Sequence, residues 1–298
     1  MKNVIITGAN GFIGSSLLKR FLDRNVRIVA IDVFFSEERV PETPLVTKII
    51  SSLNDEASLL KAIPEGEYDA FYHFAWRGVN GTEKGDPIIQ TENIRMALLC
   101  AQVAKKLNCG KFLCAGTVAE QATGSLPRLE VTSGGMMYGV AKHCTHLMLE
   151  TYCKNVALPF VWMQFSNIYG PCNKTGNLVS YTLGQLVKGE PATFGPATQP
   201  YDFIYVEDLL EAVLRLGENT TSKNLYFIGS GTPHILRDYL QEMGSLCGRE
   251  DLIRVGVRPD DGIEYRLDMF DNSALIKDIG EYVSVSFTEG IKKTIAGF

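Results

Sequence analysis

Tyr138 and Lys142 stand four residues apart in Tyr138-Gly139-Val140-Ala141-Lys142. On a helix that spacing places one side chain above the other, so the phenol and the ammonium share a face. Such a pair can move a proton. A free tyrosine has a pKa of ~10 and is a poor base at neutral pH, but a neighbouring ammonium favours the phenolate. Bringing the pKa to ~7 takes ~4 kcal/mol of differential stabilisation, within reach of a dry cleft. The same spacing also occurs on plain surface helices, so the pair needs a companion. Thr117 offers one. It follows the strand-like run Phe112-Leu113-Cys114-Ala115-Gly116, at the carboxyl end where open α/β sheets bind ligands. A hydroxyl there can hydrogen-bond the oxygen that Tyr138 protonates or deprotonates. Taken alone, Thr117 also reads as a turn or helix-cap residue.

An anion site lies at the other end of the chain. Val4-Ile5-Ile6-Thr7 is a short apolar run suited to a strand buried on both faces, and Gly8, Gly11 and Gly14 follow at intervals of three. From Phe12 the apolar spacing turns helical. A strand, glycine turn and helix in that order aim free N–H groups of a helix start at an anion. Gly8 permits a sharp turn, Gly11 permits approach to a diphosphate, and Gly14 permits close packing of helix on strand. An ordinary tight turn is the bland alternative. Asp32 ends the next apolar run, eighteen residues beyond Gly14. A carboxylate there accepts both adenosine ribose hydroxyls and repels a 2′-phosphate, which favours NAD over NADP; Arg39 nearby complicates the preference, and a surface Asp remains an alternative.

These groups need a scaffold. The apolar patterning predicts strands over 4–7, 27–31, 45–50, 70–75, 111–115 and 160–165, alternating with helices over 12–22, 55–63, 86–108 and 138–155. Pro87, straight after Asp86, suits the first turn of the third helix. Strand and helix in alternation predict an α/β fold, a Rossmann-type doubly wound parallel sheet with a smaller C-terminal substrate lobe. The division expected is 1–170 with 203–230 as the dinucleotide-binding domain, interleaved with 171–202 and 231–298 as the substrate lobe. A further helix is expected over 178–188, another over 207–216, and a strand over 224–228.

Composition narrows the partners. The chain of 298 residues is 45% hydrophobic and 21% charged, with a formal net charge of −5. No global positive field points to nucleic acid or an anionic membrane surface. No signal-peptide pattern or apolar run of ~20 residues is present. The seven cysteines (100, 109, 114, 144, 153, 172 and 247) are odd in number and include no C-x-x-C pair, so free thiols and a cytoplasmic location are expected. His143 and His146, one helical turn apart, lack a third ligand at a recognisable spacing, and no metal is expected.

Together, Gly8-x-x-Gly11-x-x-Gly14, Thr117 after the fifth strand and Tyr138-x-x-x-Lys142 resemble the extended short-chain dehydrogenase/reductase family, in its NAD-dependent nucleotide-sugar epimerase/dehydratase branch. The resemblance covers nearly the whole chain. It implies catalysis by Thr117, Tyr138 and Lys142. It implies a cofactor site of Gly8, Asn10, Gly11, Phe12, Ile13, Gly14, Asp32, Ser52, Leu53, Phe74, Ala75, Trp76 and Asn93, with Tyr138 and Lys142. For a nucleoside-diphosphate sugar it implies Arg77, Asn80, Asn167, Asn177, Leu178, Tyr201 and Arg258, with Arg258 on the diphosphate; an ion pair of Arg258 with Asp260 or Asp261 is the alternative. Asp202 and Asp208 read as structural. A homodimer through the two long helices is implied as well.

The chain also departs from that pattern. Tyr201 and Gln164 stand where arginines are usual, and Ser52 stands where an Asp often reads adenine. Val118-Ala119-Glu120 replaces the Asp-Glu pair with which 4,6-dehydratases remove water, though Glu120 is still placed to face substrate. The activity implied is hydride transfer at the hexose C4 of an NDP-sugar, first as a 4-epimerase. The alternatives are an NAD(P)H-dependent 4-keto-6-deoxyhexose reductase or, in another class, a non-catalytic dinucleotide sensor or scaffold.

Overall fold

A computed structural model describes residues 1–171, 173, 176–260 and 262–297. Cys172 and Asp261 lie outside the described residues. Six strands alternate with helices along the first half: β1 Asn3–Thr7, β2 Arg27–Asp32, β3 Val46–Ile50, β4 Ala70–His73, β5 Phe112–Thr117 and β6 Phe160–Phe165. With Leu225–Ile228 they form one seven-stranded sheet, ordered Leu225–Ile228, β6, β5, β4, β1, β2, β3, and every pairing in it is parallel.

The inner strands β1, β4, β5 and β6 are buried on both faces, which is why they read as apolar runs rather than alternations. Within β1, Val4 and Ile6 pack into one buried cluster and Ile5 into another. The first cluster holds Leu17, Leu18 and Phe21 of helix α1 (Phe12–Asp23). The second holds Cys100, Val103 and Ala104 of helix α3 (Pro87–Lys106) and Leu149 and Cys153 of helix α4 (Gly134–Asn155). Between them, helix α2 (Glu56–Ala62) starts at Asp55, whose carboxylate accepts the Ser58 N–H. Helix α3 starts at Asp86, which accepts the Ile88 and Ile89 N–H groups, with Pro87 in its first turn.

Strand order reverses at β1. The chain first builds outward through β2 and β3, then returns through β4, so a crevice opens beyond the carboxyl ends of β1 and β4. Two boundaries differ from the patterning in ways that matter. Strand β5 runs on to Thr117, which pairs with Phe165, and α4 begins a turn before Tyr138. Tyr138 and Lys142 therefore both sit inside regular helix. Residues Val118–Arg128 form a 3₁₀-helical stretch that the patterning does not show.

The remaining elements follow in the second half of the chain. They include helix α5 (Leu178–Lys188), helix α6 (Val206–Glu218), helix α7 (Leu236–Leu246) and helix α9 (Phe287–Ile295), with Ser273–Ile279 as the intervening α8. Three two-stranded pairings join distant segments, among them Phe203–Tyr205 with Asn167–Tyr169. Asp202 is fully buried and accepts from Ser230; Asp208, in the first turn of α6, accepts from Ser284 and Val285.

Candidate active site

At the end of β1 the backbone turns through Gly8 with φ +69, in the left-handed region that favours glycine. A Cβ at Gly8 would lie 2.7 Å from the Ala75 nitrogen, and one at Gly14 would lie 2.2 Å from the Gly8 oxygen. The turn thus holds three backbone segments closer than any side chain allows. Gly11 is the N-cap of α1 and offers no side-chain cap, leaving the first N–H groups of the helix for an anion.

Beside this turn lies a cavity of about 640 Å³, lined among others by Gly8, Asn10, Gly11, Asp32, Ser52, Leu53, Phe74, Ala75, Trp76, Arg77 and Asn93. Phe12, Ile13 and Gly14 lie behind it in the first turn of α1. The Asp32 carboxylate accepts the Asn10 and Val33 N–H groups at 2.8 and 2.7 Å, which fixes its plane at the cavity wall. Arg39 is engaged by the protein, its guanidinium donating to the Asn10 carbonyl at 2.9 Å. Asn93 is fully buried and clasps the Arg77 backbone through both N–H and C=O, at 2.9 and 2.8 Å. The cradle, the uncapped helix start and the carboxylate together fit a dinucleotide.

Thr117, Tyr138 and Lys142 converge at the end of β5. Thr117 is half-buried, and its hydroxyl caps the following 3₁₀ stretch by accepting the Ala119 N–H at 3.3 Å. The capping reading of this threonine holds. Burial and, second, the Glu120 carboxylate push the Tyr138 phenol above the ordinary tyrosine range, while the Thr117 side chain opposes them. Lys142 is 4% exposed; its Nζ donates to the Ala115 carbonyl at 2.7 Å and lies 5.9 Å from the centre of the Tyr138 ring. Burial draws Lys142 below the usual lysine range, and Cys114 and Glu120 hold it up. A second ammonium, that of Lys84, lies 5.1 Å from the Tyr138 ring centre.

Glu120 is 2% exposed. Its carboxylate turns into the protein, accepting the Thr117 backbone N–H at 2.6 Å, the Trp162 indole N–H at 2.9 Å and the Gln164 amide at 3.4 Å. Gln164, in the strand position where an arginine is usual, therefore serves this buried carboxylate. Burial raises the Glu120 pKa, and these donors and Lys142 restrain the rise. Glu120, His143 and His146 each place one donor atom within 4.8 Å of the others, a grouping that sequence spacing missed. The Glu120 oxygens are already taken by N–H donors, and His146 stacks on Trp162 at 5.1 Å, so the set is not a ready ligand cage.

The residues expected on the sugar side are more dispersed. Tyr201 donates to Asn167 at 3.0 Å, and Asn167 donates to the Asp202 carbonyl. Asn177 caps α5, at whose first position Leu178 stands, and donates to the Ile168 carbonyl. Arg258 is exposed and donates to Thr193 and to the Tyr181 phenol at 3.0 and 2.9 Å, rather than to Asp260, which accepts from Gly262. Arg77 is exposed and pairs with Glu83; Asn80 is exposed and does not line the cavity. No described helix is long and apolar enough to cross a membrane.

A glycine cradle at a topological switch point, with a tyrosine and lysine on the neighbouring helix, defines an enzyme of the extended short-chain dehydrogenase/reductase type. The chain belongs to the NAD dependent epimerase/dehydratase family, whose model matches residues 4–229. Among curated relatives it is 26% identical to a UDP-N-acetyl-alpha-D-glucosaminuronate decarboxylase of Bacillus cytotoxicus, over 100% of this chain and 98% of that one. It is 22% identical to the UDP-glucose 4-epimerase of Mycolicibacterium smegmatis, over 99% and 97% of the two chains. Among solved structures, the Bordetella bronchiseptica enzyme WbmH in complex with NAD+ superposes with a TM-score of 0.79 at 25% identity, covering 100% of this chain and 98% of that one.

Proposed function

We propose that the chain is an NAD-dependent nucleotide-sugar 4-epimerase. The observation that carries the reading is the Lys142 ammonium, held on the Ala115 carbonyl two residues before Thr117 at the carboxyl end of β5 and 5.9 Å from the Tyr138 ring centre, with Glu120 turned away. The cavity beside Gly8, Gly11 and Asp32 would hold the dinucleotide, the diphosphate on the uncapped start of α1 and the adenosine ribose on Asp32. NAD, when bound, supplies the acceptor and donor for a hydride at the sugar carbon. Tyr138 Oη takes the proton of the C4 hydroxyl and returns it, Thr117 Oγ1 shares that oxygen, and the Lys142 ammonium favours the phenolate.

Dehydration or decarboxylation would call on a further acid or base at the sugar. Glu120, the nearest carboxylate in sequence, is committed to Trp162 and Gln164, which favours epimerisation. The lobe of 171–202 and 231–298 would receive the nucleoside diphosphate, with Arg258 as its guanidinium contact, suited to bidentate phosphate binding. A homodimer and a cytoplasmic location belong to the same proposal. The exposed Leu147 and Met148 of α4 and Ile88 of α3 offer apolar contact area for pairing, and all six described cysteines are free thiols.

The test is to denature purified protein, identify any released dinucleotide, and assay UDP-, dTDP-, GDP- and CDP-hexoses for C4 inversion. Inversion with no net change in reduced-cofactor absorbance supports the epimerase. Steady consumption of added NADPH or NADH with a 4-keto sugar nucleotide would instead identify a one-way reductase. Neither conversion, with dinucleotide retained, would point to a sensor or scaffold.

A further inference from the structure

We propose that Trp76 is a positioning residue for the proton-transfer pair: its indole, anchored on Gln90, pins the Lys142 ammonium and braces the Tyr138 ring. The proposal rests on the reading of Tyr138 and Lys142 as that pair.

Two constraints fix the ring. Strand β4 ends at His73, and Phe74 and Ala75 then pass against Gly8 so closely that a Cβ there would meet both. The backbone entering Trp76 is therefore held by the glycine turn. At the far side of the ring, Trp76 Nε1 donates to the Gln90 Oε1 at 3.0 Å. Gln90 is 1% exposed, and its Nε2 donates to the Gly78 carbonyl at 3.0 Å, so the amide cannot turn without losing both bonds. An indole clamped at its backbone and its nitrogen keeps one plane.

That plane meets both members of the pair. Lys142 Nζ lies 3.6 Å from the indole centre, at contact distance over the face. Tyr138 meets the indole edge-on, with centroids 6.2 Å apart and planes at 88°. Among the described residues Lys142 makes no salt bridge. Its ammonium is held by one carbonyl and by the π face, and the face counts for more where water is excluded. Trp76 also lines the cavity, so its indole links the cavity wall to the Lys142 ammonium.

Phenylalanine would keep the face and lose the anchor; leucine would lose both. For Trp76→Leu we expect kcat to fall by about tenfold or more with the sugar KM within about threefold, because placement rather than sugar binding is lost. Trp76→Phe should recover most of that loss, and Gln90→Leu should match Trp76→Phe. A second readout needs no turnover. Amine acylation followed by peptide mass spectrometry should label Lys142 faster in Trp76→Leu than in the parent protein. Lys111, held by the Leu216 and Asn219 carbonyls far from Trp76, should be unchanged and reports global unfolding. Equal losses in the Phe and Leu variants, or unaltered Lys142 labelling, would overturn the proposal. Tyr138→Phe assayed alongside separates the two readings: full activity there removes the acid–base pair, while the labelling still reports whether Trp76 pins Lys142.

Discussion

The Glu120 carboxylate accepts the Trp162 indole N–H at 2.9 Å inside the protein, behind the residues that face the cleft. The same carboxylate accepts the Thr117 backbone N–H at 2.6 Å, so it orients the end of β5 from behind. A Cβ at Gly116 would strike both Trp162 and Glu120, which is why glycine precedes Thr117. Charge here serves placement, at the cost of burying a carboxylate.

Glu120→Gln keeps an acceptor for Thr117 but turns an amide donor toward the donor of Trp162. It should lower stability by about 1–3 kcal/mol, the cost of an unsatisfied buried polar group. Urea unfolding midpoints at constant m-value would show it; an unchanged midpoint would mean that the Trp162 bond is dispensable.

Tyr138→Phe removes the phenolic hydroxyl and leaves the ring contacts with Trp76 and Lys142. Turnover should fall by about 10²–10⁴-fold, the usual contribution of a positioned proton-transfer group. Retained dinucleotide and melting temperature should stay near those of the parent, and single-turnover assays of C4 inversion measure the loss.

Gly14→Ala sets a methyl 2.2 Å from the Gly8 oxygen. The backbone must shift, at about 1–3 kcal/mol for overpacking, and bound dinucleotide should be lost on gel filtration. Gly124→Ala, whose Cβ would meet nothing within 4 Å, is the matched control and should be close to neutral.

His73 is 1% exposed, with Nδ1 at 2.8 Å from the Thr7 hydroxyl and, among the described residues, no hydrogen-bond partner for Nε2. Burial first, and the Lys142 charge second, pull its pKa down to about 3. Unfolded, the imidazole takes a proton below about 6.5. Between those values the unfolded chain binds more protons, so this contribution to stability is present above about 6.5 and is lost as pH falls toward 3, by about 1.4 kcal/mol per unit. His73→Gln should flatten that limb relative to the parent when unfolding midpoints are compared at pH 7, 6 and 5. Parallel curves would exclude His73 as the source.

Local chemistry made much of this protein legible from its residues. Val4 to Thr7 could be placed in a buried strand because both faces are apolar, and the start of α3 could be read from Asp86-Pro87, since capping acts within one turn. The shared face of Tyr138 and Lys142 follows from the period of a helix. The tertiary structure decided what those side chains meet. Trp76 over Lys142, Glu120 turned to Trp162, and Lys84 beside Tyr138 join residues 66, 42 and 54 positions apart, on elements brought together by the order of strands. Spacing along a chain determines which groups share a face, but only packing determines what that face touches. Glu120 therefore read as a residue open to substrate and proved to be a buried brace.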